Sequence, residues 1–471
     1  MFKRCLTILA DGARPDVLFD LMKKGDLPTL SRYFAEGGTA STILTAFPST
    51  TGPAYLPFVT GCYPGTCNVP GIRWFDKDHY HRKGWGYGSF RSYVGFETFL
   101  MNRDIRPEIR TAFEIFQKPS SVLNMVNRGL KGKLNTTRFL RIWYHYYAHL
   151  TDHCGFTDRM AGEKLLALLD HDPDYAFVVF PGIDEFSHRS SPFHPTVLES
   201  YRSLDRHLAP AIEKLKRRGR LDETLLVLVA DHGLSETHTH FDVGPYLEEK
   251  GKKTFYYSQI VKRDFTAASM ISGNAMAHLY FKGGRGWQGR MTFEELSQSG
   301  LLLDELRFRP EVALVSVTGE DGSIHLLSDK GHGWFRTDGN GVDYQWNHGC
   351  PLGLFKEGNS KKMTWDETLT ATFDSQFPDA FMQLSQIFRS PRTGDVVLSA
   401  RPGFDLRRRY EHPEHKSSHG SLSPEHMKIP LLMNARLSTN GRPIRSVDIF
   451  PTILKLTGKV IPEGIDGKYL I

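Results

Sequence analysis

Three short runs constrain this chain most: CLTILA at 5–10, AFVVF at 176–180 and LLVLVA at 225–230. Apart from Thr7 they are apolar at every position, and each stops at a polar turn: Asp11-Gly12, Pro181-Gly182-Ile183-Asp184 and Asp231-His232-Gly233. A strand with one face in water alternates. An unbroken apolar run needs cover on both faces, which is the situation of a central parallel strand under helices. Helical periodicity lies between them, at Ala161–Leu169 and Pro195–Arg217, and Ser446–Leu456 reads as a C-terminal helix with Pro451 in its early turns. AHLYF (277–281), VALVSV (312–317), SIHLLS (323–328) and DVVLSA (395–400) read as further strands. The predicted architecture is α/β, a mostly parallel central sheet flanked by helices.

Two segments do not fit such a core. Residues 76–155 are aromatic and basic, as in KGWGYGSFRSYVGF and RIWYHYYAHL, and are expected to form an inserted cap subdomain. Residues 330–350 are glycine-rich and strand-poor, and are expected to be an active-site loop insertion. The remainder of 1–471 reads as one catalytic domain. The charge balance, 59 basic against 53 acidic residues, is mild and shows no basic block, so no nucleic-acid polymer is expected as partner. No apolar run is long enough to span a membrane. The stretch MFKRCLTILADG lacks a secretory apolar region, and the five cysteines show no zinc-type pairing. A reduced, cytoplasmic protein is therefore the expectation; the oligomeric state is open.

Ligands of open α/β sheets collect beyond the carboxyl ends of the strands. The three apolar strands each deliver an aspartate there, Asp11, Asp184 and Asp231. His188 follows Asp184 by four residues, His232 adjoins Asp231, and HKSSHGSL (415–422) places His419 before the strand-like IPLLM at 429–433. Carboxylates and neutral imidazoles are ligands for divalent metals, with zinc favouring the mixture. Six such groups exceed one tetrahedral ion. They suit two ions about 3.5–4 Å apart, the arrangement used for in-line phosphoryl displacement. FPSTTGPAYLPFVTGCYPG (47–65) offers a nucleophile at a helix start, where free N–H groups favour an anion. The residues alone leave Ser49, Thr50 and Thr51 open, and a plain N-cap ahead of Pro53 competes with all three.

Taken together, ADGARPD (10–16), TGPAYLPFVTGCYPG (51–65), GIDEFSH (182–188), DHG (231–233), SHG (418–420) and VDIFPTIL (447–454) resemble the alkaline phosphatase superfamily, in its type I phosphodiesterase/nucleotide pyrophosphatase branch. They stand in the family's order across nearly the whole chain. The resemblance implies an alkaline-phosphatase-like fold, Thr51 as nucleophile and two zinc ions, with manganese as the alternative metal. Asp184, His188 and His419 would hold one ion; Asp11, Asp231 and His232 would hold the other, with Thr51 bridging toward the phosphorus. The implied reaction is a two-step displacement through phospho-threonine on a small-molecule phosphate ester such as a nucleotide.

One stretch departs from the family pattern. Where the family carries HGIxxN, this chain has VPGIRWFD (69–76), keeping Gly71 and Ile72 without the asparagine. Arg73, a planar and permanently charged donor, is the nearest replacement, and Trp74 beside it is the expected substrate contact. Two divalent ions against three carboxylates and one alkoxide sum to zero, which suits a diester monoanion; an added arginine would favour a monoester dianion. The leading expectation is a phosphodiesterase, with a phosphomonoesterase or a catalytically impaired binding protein as alternatives. A sulfatase does not fit, since neither cysteine nor serine stands at position 51. Of the other histidines, His238, His240, His412, His415 and His426 read as loop residues, and His278 and His325 as satisfied sheet residues.

Overall fold

The computed structural model describes the chain except residues 87, 138, 139, 142, 144–153, 258, 260, 261, 300–302, 410, 412, 413 and 440. Its centre is a six-stranded sheet in the order Thr39–Leu44, Lys428–Met433, Thr224–Val229, Arg4–Ala10, Tyr175–Phe180, Pro119–Val122. The four strands from Thr224–Val229 to Pro119–Val122 run parallel, while Lys428–Met433 is antiparallel to both its neighbours. The three apolar runs are thus adjacent, and residues 5–10, 175–180 and 224–229 are all buried. Their register pairs Ala10 with Phe180 and Leu9 with Val229, so all three strands end at one edge.

Helices cover this sheet because their apolar positions recur at helical spacing. Pro195–Arg217 buries Val197, Tyr201, Leu204, Leu208, Ala211, Ile212 and Leu215, a single stripe, together with Asp205, whose carboxylate accepts the Thr29 and Leu30 main-chain N–H groups. The expected helix at 161–169 extends over Cys154–Leu168. At the C-terminus, a 3-10 turn at Ser446–Asp448 leads into Ile449–Leu456, where Pro451 occupies an early turn that needs no N–H partner.

The remaining predicted strands belong elsewhere. Met276–Phe281, Val312–Thr318, Ile324–Ser328 and Val396–Ala400 join a second, nine-stranded sheet that is antiparallel except for its Thr254–Tyr256 edge. An apolar run reports burial, not the identity of the partner strand, so the sequence pattern could not assign them. The strand-poor reading of 330–350 is corrected as well. Gly331–Thr337 and Gly341–Asn347 form an antiparallel hairpin in this second sheet. Glycine interrupts its alternation, but Phe335 and Tyr344 are buried against Phe381.

The expected cap at 76–155 is only partly separate. Pro119–Val122 is the outermost strand of the central sheet, paired with Tyr175–Val178. Phe75, Tyr80, Trp85 and Phe90 pack with Phe255, Phe265 and Trp287 in an aromatic cluster. Most of RIWYHYYAHL (141–150) lies outside the described residues. Buried ion pairs join the parts: Lys77 with Asp395 at 2.9 Å, and Arg445 with Asp379 at 2.6 Å.

Candidate active site

Register brings the first aspartates together. Because Leu9 pairs with Val229, Asp11 and Asp231 emerge side by side, and the Gly12 N–H donates to Asp231 Oδ1 at 3.3 Å. Across the other neighbour, Phe180 leads into helix Gly182–Arg189, which carries Asp184 in its first turn and His188 one turn later. This i,i+4 spacing places both on one helix face, with His188 Nε2 3.3 Å from Asp184 Oδ1.

His419 arrives by a different route. The short strand Ser417–Ser418 pairs with Ser235–His240, which directly follows the Asp231-His232-Gly233 turn. The His419 ring therefore stacks on His232, with centroids 3.6 Å apart and planes at 8°. Its Nε2 lies 3.9 Å from Asp184 Oδ1. Two compact groups result, Asp184–His188–His419 and Asp11–Asp231–His232, each with possible ligand atoms within 4.8 Å of one another.

The imidazoles are oriented alike. Nδ1 of His188 lies 2.8 Å from Ser417 O, that of His232 lies 3.1 Å from Gly233 O, and that of His419 lies 2.9 Å from Ser49 O. A carbonyl only accepts, so each Nδ1 carries a proton and donates, which turns each Nε2 toward the aspartates. This is the outer-contact pattern of metal-ligating histidines. Asp231 Oδ2, fully buried, has no hydrogen-bond partner, although His232 Nε2 lies 3.2 Å away. A carboxylate oxygen and a ring nitrogen held this close fit a divalent cation between them. Electrostatics agree. Burial, reinforced by Asp184, pushes Asp11 up to about 7, and burial with Asp11 beside it pushes Asp231 upward too. Burial drives His232 and His419 well below the usual imidazole range. His188 is the exception: burial opposes its charge, but Asp184 prevails and holds it at about 9.

The three candidate hydroxyls separate clearly. Ser49 Oγ donates to Ser421 O, and Thr50 Oγ1 is buried without a partner. Thr51 Oγ1 lies 3.2 Å from His232 Nε2 and 3.4 Å from Asp11 Oδ1. It precedes Gly52, the N-cap of the turn Pro53–Tyr55, so it stands one residue ahead of the expected cap position. Tyr55, one turn onward, donates to Asp11 Oδ2 at 2.7 Å. Sequence reading missed Tyr55, although its place four residues after Thr51 in TGPAY was the available signal. It also missed Arg141, whose charge acts on Asp11 and Tyr55. His415 stacks 4.1 Å from His188, and Asn274 donates to Glu411 beside it. These contacts join distant loops and leave no local signal.

Trp74 is corrected. It is fully buried, its indole N–H donates to Tyr93 Oη at 3.0 Å, and the guanidinium carbons of Arg392 and Arg91 lie 4.1 and 5.3 Å from its ring. An indole so enclosed offers nothing to a substrate; a tryptophan next to a candidate site residue on a strand points to the opposite face. Arg73 donates from Nη1 to Ile271 O at 3.1 Å and lies 5.7 Å from the Tyr257 ring. His426 is corrected from a loop residue to a buried one, bonded to Ser235 and Ser421 Oγ. His238 is exposed, as expected, and His412 lies outside the described residues. His278 is satisfied in its strand by Pro70 O and the Gly394 N–H, and His325 lies 3.1 Å from Ser323 Oγ. His240 meets Asp405 at 2.9 Å and Glu414 at 3.1 Å, an ion-paired imidazole with both nitrogens facing carboxylates.

Comparison with known proteins decides the family. The sequence profile described as Type I phosphodiesterase / nucleotide pyrophosphatase matches residues 5–289, more than half of the chain. The chain belongs to the type I phosphodiesterase/nucleotide pyrophosphatase family. That family is a branch of the alkaline phosphatase superfamily of phosphoric ester hydrolases. Among curated proteins, GPI ethanolamine phosphate transferase 1 of Gibberella zeae is 23% identical over 261 residues, which is 51% of this chain but only 24% of that protein. Among solved structures, phosphonoacetate hydrolase from Sinorhizobium meliloti 1021 in complex with phosphonoformate matches with a TM-score of 0.58 at 15% identity, covering 97% of this chain and 96% of that one. An inactive form of murine ectonucleotide pyrophosphatase / phosphodiesterase 5, in complex with AMP, matches with a TM-score of 0.55 at 13% identity, covering 98% and 96%. At these identities the structural matches establish the fold of this family member. Among its described residues, no helix is long and apolar enough to cross a membrane.

Proposed function

We propose that this family member is a phosphodiesterase acting on a small-molecule phosphate ester, such as a nucleotide, with Thr51 as nucleophile. The observation that carries the reading is the alignment of three imidazoles, Nδ1 bonded outward to main-chain carbonyls and Nε2 inward, beside the Thr51 hydroxyl. Asp184, His188 and His419 would hold one divalent ion, and Asp11, Asp231 and His232 the other; the mixed oxygen and nitrogen set favours zinc, with manganese as the alternative. Bound there, two such ions lower the pKa of the Thr51 hydroxyl and offset the charge that builds on the phosphoryl oxygens.

The chain's own residues do the rest. Thr51 Oγ1 attacks phosphorus, the ester oxygen opposite it leaves with the electron pair and takes up a proton, and phospho-Thr51 forms. Water then attacks the same phosphorus, the Thr51 oxygen leaves, and the hydroxyl is restored. Tyr55 fixes the Asp11 carboxylate by bonding Oδ2, which turns Oδ1 toward Thr51. One observation favours the phosphomonoesterase alternative: the charge of Arg141 reaches Asp11 and could serve the second charge of a monoester.

Kinetics on bis(4-nitrophenyl) phosphate and 4-nitrophenyl phosphate, with zinc present, test both readings. The diester is expected to be the better substrate, and Thr51→Ala to lower its kcat/KM by on the order of 10³-fold or more. A monoester preference lost in Arg141→Met would select the alternative. Stoichiometric zinc with turnover of neither ester would make the chain a binding protein.

A further inference from the structure

A third set of ligand-type side chains comes together outside the two groups described above. His240, Asp405 and Glu411 have possible ligand atoms within 4.8 Å of one another. Strand Gly403–Asp405 runs parallel to Ser235–His240 and pairs Asp405 with His240, which sets the imidazole beside the carboxylate. Glu411 comes from the segment that leads to His419.

An ion pair between His240 and Asp405 accounts for only part of this cluster. Asp405 is fully buried, and its Oδ1 meets His240 Nδ1 at 2.9 Å and the Arg407 main-chain N–H at 3.3 Å. Its Oδ2, also buried, has no hydrogen-bond partner among the described residues, which is the condition of Asp231 Oδ2 in the candidate site. A buried carboxylate oxygen that meets nothing is costly. Burial, with Glu411 nearby, accordingly pushes Asp405 up to about 7. Glu411 is buried too, and the charges of Arg407 and His188 act on it. The Arg407 charge is shared among Glu411, Asp242 and Asp405. On its far side, His240 Nε2 lies 3.1 Å from Glu414 Oε1 and donates outward, so that Nδ1 faces Asp405. A carboxylate behind the imidazole is the outer contact that orients a metal-ligating histidine.

We propose that His240 Nδ1, Asp405 and Glu411 bind a third divalent cation, separate from the pair in the candidate site. One imidazole and two carboxylates are a donor set that zinc takes, with water completing the shell. The two carboxylates offset the two charges of the ion, and binding releases the Nδ1 proton to solvent. The ion joins Ser235–His240, Gly403–Asp405 and the segment before His419. Glu411 also accepts from Asn274 and lies 3.2 Å from His415 Nδ1, and the His415 ring stacks on His188. The third ion therefore clips the loop that carries His419, whatever ester the site cleaves.

Zinc counting on the full chain, after dialysis against chelator-buffered zinc, tests this without any substrate. Asp405→Asn, which keeps an acceptor for His240, is expected to hold one zinc fewer than the wild type. Glu411→Gln is expected to do the same and serves if the Asp405 variant does not fold. The rise in Tm on adding zinc is expected to be smaller in both variants, since an ion bound only by the folded chain stabilises it. Asp184→Asn, in the candidate site, should lose a different ion, so that its loss and that of Asp405→Asn add. A count that falls in neither Asp405→Asn nor Glu411→Gln overturns the third site and leaves the proposed function standing. A count that falls with no change in the Tm rise overturns the clip. A count unchanged in Asp184→Asn overturns the proposed metal pair and leaves the third site standing.

Discussion

His188, His232 and His419 show how single residues are prepared for a task. Each commits its Nδ1–H to a main-chain carbonyl, so the tautomer is set by the backbone and not by solvent. Tyr55 does the same for a carboxylate, since its hydroxyl reaches Asp11 Oδ2 at 2.7 Å from within the site. Such outer contacts tune affinity more than fold, so Tyr55→Phe is expected to weaken zinc binding by about tenfold or somewhat more. Competition with a chromogenic chelator measures it, and an unchanged affinity would show that Asp11 needs no orienting partner. Of the site residues, the ligands and Thr51 lie in motifs that the sequence displays. Arg141, Asn274 and Glu411 do not, because their partners are far away in the chain. Trp74 was misread for a simpler reason: an aromatic side chain signals burial and contact alike, and only the packing of Tyr93, Arg91 and Arg392 around it separates the two.

At the scale of elements, the site is a product of strand register and of one close crossing. Asp11 and Asp231 are neighbours because two parallel strands end in step. His419 reaches them through a tight passage in which Gly420, at φ +113°, lies against Ser272; a Cβ there would stand 2.4 Å from Ser272 O. Gly420→Ala is therefore expected to displace the His419 turn and to cost about 1–3 kcal/mol. Metal analysis should find close to one zinc lost per chain, while the Asp11–Asp231–His232 group stays loaded. No zinc lost would mean that the turn relaxes without moving the ligand. The apolar runs made the three central strands legible; the second sheet was not, because antiparallel partners distant in sequence are chosen by packing. The glycine-rich hairpin at 331–347 shows the same limit, its alternation being visible only once Phe335 and Tyr344 are seen to face one core.

Across the whole molecule, buried ionic and polar groups connect the parts. Arg445 meets Asp379 through Nε at 2.8 Å and Nη2 at 2.6 Å, tying the approach to the C-terminal helix to helix Ala380–Ile387. Arg445→Met strands a fully buried carboxylate and is expected to lower stability by about 3–5 kcal/mol in urea unfolding. A loss below about 1 kcal/mol would mean that solvent enters to take the place of the guanidinium. Acid should act through the buried histidines. Burial holds His278 at about 4, below the ordinary imidazole value of about 6.5. The unfolded chain therefore binds this proton where the folded one does not, and stability is expected to fall as pH drops from about 6.5 to 4. For His278 alone the loss is about 3 kcal/mol. His278→Gln should flatten that part of the Tm–pH curve; an unchanged slope would assign the acid sensitivity to other groups, with His426, also buried and held at about 3, the next to replace.

By itself the sequence determined the α/β class, the three central strands, the aspartates and histidines beyond their ends, and the family resemblance. Each rests on a local signal, an apolar run, a turn or a short motif, that survives without knowledge of distant partners. The resemblance already implied the two groups and Thr51; only the tertiary structure decided how closely those groups abut, that Trp74 is enclosed, and that Arg73 lines a cavity with Arg407 and Arg409. Those outcomes depend on which strands pair, in what register and which side chains then share a volume, quantities fixed by packing over the whole chain.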